Sequence, residues 1–344
     1  MRNVKIIGAG LFGCSIAIEL AKSGMNVTLI EKNDDIMKGA SKCNHNRIHF
    51  GFHYPRSVET AKESLDGLVL FLMRFKDAIV SDFPNYYFIE KNSKVTSEEY
   101  LDFCNKVGIH YDYDWPNENI VKHNPIDISL KVLEPVFDYK IIKDKLKSDL
   151  LKYKVDLQLN YKFNNDDYLY NCDKYDYIIN SSYGNINNVN DILNEPKINI
   201  KLQDVIIPIF EKKHNKIGLT IMDGPFCSIM PKGFDKDKFL LYHVEHSVGA
   251  QTLNGKLDRN FDIEQQVEKI YTESAKYYPF LDDVKKLKYW RSLRALPIND
   301  NDERLSEIFY NKENPRIISV LSGKVSSCWK VAYDIKNIIR KENV

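Results

Sequence analysis

Residues 4–35 read VKIIGAGLFGCSIAIELAKSGMNVTLIEKNDD, and the order of residue types in this stretch decides the fold. Val4 to Ile7 is a short apolar run of the kind shown by a strand buried on both faces. Gly8, Gly10 and Gly13 follow at GxGxxG spacing. Gly8 permits a tight turn, Gly10 lets the backbone approach a pyrophosphate, and Gly13 lets a helix pack close to the strand. Ile16, Ala17, Leu20 and Ala21 then recur at helical spacing, and Ser23-Gly24 is a natural helix end. The amino end of this helix, at Leu11 and Phe12, offers N–H groups and a positive dipole to phosphate. A second strand, Asn26 to Ile30, ends in Glu31 and Lys32. Glu31 stands where a carboxylate accepts hydrogen bonds from both hydroxyls of a ribose and disfavours a 2′-phosphate. The stretch predicts a βαβ unit that opens a Rossmann-like α/β domain and binds a dinucleotide. Its candidate contacts are Gly8, Gly10, Leu11, Phe12, Gly13, Glu31 and Lys32.

The rest of the composition narrows the setting. The 344 residues suffice for two sub-structures that each bury a core. Lys and Arg number 49 against 48 Asp and Glu, a formal net charge of +1, so no global field favours nucleic acid or an anionic membrane. Six cysteines (Cys14, Cys43, Cys104, Cys172, Cys227 and Cys328) are scattered without a CxxC pair, which reads as reduced thiols in a cytoplasmic protein. No apolar run approaches the roughly 20 residues that span a bilayer, and no signal-peptide pattern opens the chain. The eight histidines form no HxxEH or HxH grouping with cysteine, so no metal site is expected.

NAD and FAD present the same adenosine diphosphate, so the first strand cannot separate them. The next segment, GASKCNHNRIHFGFHYPRSVETAKES at residues 39–64, does. It has a polar loop, a short apolar centre and a helix beginning near Ser57. With Ser41, Asn44, Ile48, His49, Gly51 and Tyr54, it resembles the D-amino-acid oxidase-like family of FAD-dependent oxidoreductases. Within that family, the flavin loop is similar to that of L-2-hydroxyglutarate dehydrogenases and FAD-linked glycerol-3-phosphate dehydrogenases. The resemblance implies a resident FAD whose pyrophosphate, ribityl chain and isoalloxazine ring lie along this loop. That makes Ser41, Asn44, Arg47, Ile48 and His49 cofactor contacts.

Three later stretches extend the likeness. KYDYIINSSYGN resembles the family's strand and glycine beside the cofactor, implying contacts at Ser181 and Gly184. KYWRSLRALPIND resembles the segment bordering the substrate cavity, with Ala295 where the family has proline after the arginine. PRIISVLSGKVSSCWKVAYDIKNIIRK resembles the closing strand, glycine loop and helix, implying contacts at Gly323, Lys324 and Val325; Cys328 stands where many members have glycine.

The resemblance implies a discontinuous cofactor domain, residues 1–75, 136–195 and 305–344. Ile142, Leu146 and Leu150 at helical spacing, followed by alternating Val155, Leu157 and Leu159, agree with a return to that domain. Residues 76–135 and 196–304 form the substrate domain. In it QDVIIPIFEKK, KIGLTIM, PFCSIMPKG and KFLLYHVEH, separated by Asn, Asp, Gly and Pro turns, predict an antiparallel sheet. Tyr86 and Tyr87 are read as packing.

Flavin oxidation of an alcohol or amine needs an anchor, a proton acceptor and a stabiliser for the reduced ring. Arg294 is the candidate anchor, because a guanidinium fork binds a carboxylate at two points and the family uses the matching position for this; Arg291 is its rival. His49 and His53 are the candidate proton acceptors from the loop, with His49 favoured because it sits in the matched stretch. Along a strand reaching residue 246, Tyr242 and His246 share a face, and His243 on the other face is the alternative. Lys324 with a helix amino end would stabilise charge on the ring. Cys43 and His45 lie on the loop, but a nucleophile nearby does not by itself indicate a covalent flavin. The expected activity is hydride transfer to FAD from a hydroxyl- or amine-bearing carbon beside a carboxylate on a small molecule, with the electron acceptor left open. An FAD enzyme of a glycan or nucleotide-sugar pathway, non-redox roles included, is the second reading. A flavin-free binding protein is the third, and the intact glycines and Glu31 stand against it.

Overall fold

The computed structural model describes residues 1–298, 304–311 and 314–341. The chain opens with β1 (Asn3–Ile7), α1 (Leu11–Lys22) and β2 (Asn26–Ile30), the βαβ unit read from the sequence. Strands β1 and β2 pair in parallel from Asn3↔Asn26 to Ile7↔Ile30. After the long loop come α2 (Val58–Asp66), capped by the Ser57 hydroxyl, and α3 (Leu68–Arg74). The first excursion holds β3 (Ile79–Val80), β4 (Asn85–Glu90), α4 (Ser97–Val107), β5 (Tyr111–Tyr113), β6 (Ile126–Val132) and β7 (Val136–Phe137). The chain returns through α5 (Tyr139–Lys152), β8 (Asp156–Gln158), α6 (Asn165–Asn171), β9 (Tyr177–Asn180) and α7 (Ile186–Leu193). A second excursion adds β10 (Ile200–Glu211), β11 (Gly218–Met222), β12 (Cys227–Pro231), β13 (Lys238–His243), β14 (Val248–Leu253), α8 (Ile263–Ala275) and β15 (Lys285–Pro297). Finally β16 (Glu307–Asn311), β17 (Asn314–Leu321) and α9 (Cys328–Lys341) complete the cofactor sheet.

The cofactor sheet has the order β16-β17-β9-β1-β2-β8, parallel except at β16. Its apolar strands are covered on both sides, as parallel strands require. Helices α1, α5 and α9 pack together on one side, with Ile16, Leu20, Leu146, Trp329 and Ile335 fully or nearly fully enclosed. Each such aliphatic or aromatic side chain contributes about 1.5–3 kcal/mol on leaving water.

The second sheet runs β14-β10-β13-β12-β11-β4-β6-β5, with β15 paired along β10. The expectation of an antiparallel sheet holds for consecutive strands and fails at one junction, where β11 pairs with β4 in parallel. The two strands come from different excursions, so no short turn ties their directions. One face, with Ile206, Phe210, Phe239 and Leu241, packs against α8. The opposite face, with Val205, Ile207, Leu240, Tyr242 and Trp290, packs against Cys43 and Tyr139. Pleating alone sorts these side chains, because successive residues of a strand point to opposite faces.

Candidate active site

The glycine turn after β1 is shaped as its spacing implies. Gly8 has φ +102°, in the left-handed region, and a Cβ at Gly13 would stand 1.9 Å from the Gly8 carbonyl oxygen. At Gly10 the backbone is ordinary, and a Cβ would meet only Ser41 Oγ at 3.2 Å, so the fold itself does not require a glycine there. Helix α1 has no side-chain cap from Gly10 and no acidic residue in its first turn, which leaves its positive end for an anion. Ser41 Oγ accepts from the Leu11 amide at 2.9 Å and ties the long loop to this end. Glu31 is buried and accepts from the Ala9 and Asn33 amides, at 2.9 and 3.0 Å. Phe12 is buried in the cofactor core, whereas Lys32 is exposed. Ser181 donates its hydroxyl to the carbonyls of Ile7 and Gly8, and so holds the glycine turn.

Beyond Ser41 the loop passes through turns over the second sheet and makes one bridge, Arg47 to Val136. Cys43 O accepts from Ser292 Oγ on β15. His45 Nδ1 lies 3.3 Å from Ser228 Oγ on β12, and its ring meets Tyr242 edge-on at 5.6 Å. Arg47 donates to Tyr87 Oη and Thr220 Oγ1, both at 2.6 Å. Its side chain is enclosed with Glu134, 3.5 Å away, and Tyr87 donates to Glu134 Oε2 at 2.6 Å. The register explains this alignment. Tyr87 pairs with Thr220, Thr220 with Ser228 and Ser228 with Tyr242, so four strands present one row of hydroxyls to the loop.

The side chains of several residues expected at the cofactor are engaged within the protein, and His246 parts from Tyr242. Arg47 is turned into the second sheet as the buried partner of Glu134. Ile48 is fully buried in the cofactor core, next to Arg47, whose backbone bridges to Val136. Asn44 is occupied within the loop, donating to the carbonyls of Ala40 and Ser41 and accepting from the Asn46 amide. Gly184 faces Leu293 of β15, where a Cβ would come within 2.8 Å of Leu293 Cβ, so it serves close packing. Strand β13 ends at His243, and His246 sits on the following turn with its ring 4.5 Å from that of His243. The His246 carbonyl accepts from Gln266 of α8, which places it on the α8 side and apart from Tyr242. Tyr87, read as packing, lies in the buried network, and Glu134, with no motif around it, is its carboxylate.

The loop after β17 meets the flavin-loop histidines. Lys324 is buried, with Nζ 3.6 Å from the centre of the Tyr54 ring, and Tyr54 lies 5.3 Å from His49 and 5.5 Å from His53. The Gly323 amide donates to Ser306 Oγ, and a Cβ there would run into the Arg304 carbonyl. Val325 packs against the cofactor core. His49 Nδ1 lies 3.6 Å from Glu134 Oε1, which accepts from the Phe50 amide at 2.9 Å. Burial pulls the His49 pKa down to about 4, against the opposing pull of Glu134 and with help from Lys324 and Arg47. Burial also holds His45 and His53 well below the usual histidine value. Cys43 has its thiol pushed up by burial, the opposite of an activated nucleophile.

The two candidate anchors part company on β15. Arg291 grips Asp204 with Nε and Nη2, at 3.0 and 2.7 Å from Oδ2, alongside Arg259 at 2.6 Å. Arg294 is on the loop-facing side, over the Tyr242 ring at 5.5 Å, and donates to the neutral Gln203 Oε1 at 2.9 and 2.7 Å. Asn299 and Asp300, which end the stretch containing both arginines, lie outside the described residues. Cys14, Cys43, Cys104, Cys227 and Cys328 are free thiols, and among the described residues no group of side chains is arranged for a metal ion. No helix among them is long and apolar enough to cross a membrane.

The donor set fits a flavin dinucleotide. The uncapped α1 end and Gly10 fit a pyrophosphate, and Glu31 fits a ribose. Along the loop, His45 Nε2, both side-chain polar atoms of Asn46, His49 Nδ1 and His53 Nδ1 are buried without a hydrogen-bond partner among the described residues. Such a concentration is costly unless a polar group completes it.

Residues 3–125 match the family model described as FAD dependent oxidoreductase. The FAD-dependent monooxygenase kojA of Aspergillus flavus is 24% identical in an alignment covering 98% of this chain and 85% of its own length. Glycine oxidase from Geobacillus kaustophilus has the same fold, with a TM-score of 0.77 at 12% identity over 99% of this chain and 95% of its own. L-α-glycerophosphate oxidase from Mycoplasma pneumoniae, solved with FAD bound, gives 0.74 at 17% identity over 98% and 94%. The match at its nucleotide-binding end makes the chain an FAD-dependent oxidoreductase, and throughout its length it has the fold of these oxidases.

Proposed function

We propose that the chain transfers a hydride to FAD from a hydroxyl- or amine-bearing carbon of a small, carboxylate-containing substrate. The observation that carries this reading is Arg294. It is on the sheet face toward the flavin loop, held by a neutral amide and an aromatic ring, with no carboxylate beside it among the described residues. A guanidinium held in this way keeps its charge for a ligand. Residues 1–75, 136–195 and 305–344 would hold the cofactor, and 76–135 and 196–304 the substrate.

FAD supplies the hydride acceptor when bound. The chain's own residues do the rest. Arg294 fixes the carboxylate at two points and thereby orients the adjacent carbon. His49 takes the hydroxyl or amine proton as the C–H bond gives up its electron pair, so the substrate leaves as a ketone or imine. Because burial keeps His49 neutral at pH 7, its lone pair is ready for that proton. Lys324, which precedes the short turn leading into α9, would supply positive charge to a reduced flavin ring bound beside it.

The test is anaerobic bleaching of the bound flavin by small 2-hydroxy and 2-amino acids, in wild type and in Arg294→Lys. The reading expects bleaching by at least one such acid and slower bleaching in the variant. Bleaching by neutral sugars but by no carboxylate would replace it with the glycan reading.

A further inference from the structure

The network behind His49 is more elaborate than packing needs. Glu134 lies between β6 and β7, and is only 2% exposed. Its Oε2 accepts from Tyr87 at 2.6 Å and faces Arg47 at 3.5 Å, while its Oε1 accepts from Phe50 N and faces His49 Nδ1 at 3.6 Å. Tyr87 and Arg47 are themselves enclosed, and Arg47 is braced by Thr220. Three contacts therefore fix one carboxylate with an oxygen directed at a histidine nitrogen that has no hydrogen-bond partner among the described residues. Burying a carboxylate and a guanidinium together costs free energy that well-packed apolar side chains would not.

We infer that Glu134 is the positioning residue for His49: its carboxylate holds the proton of the neutral ring on Nδ1 and leaves the lone pair on Nε2 for the substrate. The Nδ1–Oε1 separation is beyond a hydrogen bond, as such contacts often are before substrate closes the site. The charged and titratable groups around His49 are Glu134 and Arg47, His53 and Tyr54 from the following turn, and Lys324 from the segment before α9. Glu134 is the acceptor among them that faces Nδ1. An imidazole with one nitrogen oriented by a carboxylate presents a defined tautomer, the arrangement that lets histidine serve as a base. The inference rests on the hydride-transfer reading for what the lone pair does, but the tautomer can be measured without any substrate.

The measurement is nitrogen NMR of the FAD-loaded full chain labelled with 15N-histidine, with His49 assigned by its loss in His49→Gln. Wild type is expected to show Nδ1 protonated and Nε2 bare at pH 7; the reverse tautomer, or an imidazolium, overturns the inference without any Glu134 variant. In Glu134→Gln, the amide oxygen stays with the Tyr87 and Arg47 donors, and the amide nitrogen gives up the Phe50 N–H contact and turns to donate to Nδ1. That ring should flip to the Nε2–H tautomer, and flavin reduction by an active acid should slow on the order of a hundredfold in kcat with KM little changed. An unchanged tautomer together with an unchanged rate overturns the inference. The expected wild-type tautomer in a protein whose flavin no hydroxy or amino acid bleaches supports the positioning and counts against the hydride-transfer reading alone.

Discussion

Arg291 and Arg294 leave the same strand toward opposite faces of the sheet, the first onto the fully buried Asp204 and the second onto the neutral amide of Gln203. Their difference separates a structural ion pair from a candidate anchor. Arg294→Ala should keep its flavin and lose carboxylate binding worth about 2–5 kcal/mol in kcat/KM. Arg291→Ala should leave flavin reduction nearly intact and lower stability by about 1–3 kcal/mol, because Asp204 keeps only Arg259. Denaturation curves and anaerobic reduction rates of both variants check the pair. A slowed reduction in Arg291→Ala with normal stability would reverse the assignment.

Gly10 and Gly13 should also behave differently. A methyl group at Gly13 collides with the Gly8 carbonyl, so Gly13→Ala should yield little folded protein. At Gly10 a methyl group meets only a serine hydroxyl at 3.2 Å, so Gly10→Ala should fold and hold FAD poorly. Flavin absorbance per folded protein, with circular dichroism, distinguishes the two. Full flavin content in Gly10→Ala would remove the pyrophosphate from that turn.

Arg47→Met leaves the Glu134 carboxylate enclosed without its cation. Breaking a buried pair in this way costs about 3–5 kcal/mol, and equilibrium unfolding of apoprotein should show it. A loss of FAD affinity with unchanged apoprotein stability would instead return Arg47 to the cofactor.

Acid should weaken the fold before the carboxylates titrate. His49 and His243 have pKa values near 4, chiefly through burial, and His45 and His53 are also depressed. Between pH 6.5 and 4 the unfolded chain binds protons that the folded chain refuses, so stability falls as pH falls and is flat above about 6.5. Each such ring contributes up to about 1.4 kcal/mol per pH unit. Unfolding free energies from pH 8 to 4 should show this slope, reduced in His243→Gln. A stability independent of pH over that window would mean that the rings are hydrated.

The nucleotide-binding end was legible because its constraints are local. Three glycines, a helix stop and a terminal acid each answer to a neighbour within one βαβ unit, and β1, α1 and β2 follow their expected bounds. The cap at Ser57 was legible for the same reason, and the final strand and helix were legible through their resemblance to the family's closing segment.

The catalytic side was not, because it is assembled by register. Tyr87, Thr220, Ser228 and Tyr242 come from four strands far apart in sequence, and only their hydrogen-bonded pairing puts them in one row. Glu134 carries no motif, and the charged residue interrupting the apolar LEPVF run was its one local sign. The end of β13 moved His246 to the other face, since one turn undoes the alternation that a longer strand would have kept. Short-range sterics of glycine, helix and strand thus determined from sequence alone that this chain holds a dinucleotide. Which side chains face that dinucleotide was decided only when two distant sheets closed on one loop, because burial and pairing there depend on contacts between residues more than a hundred positions apart.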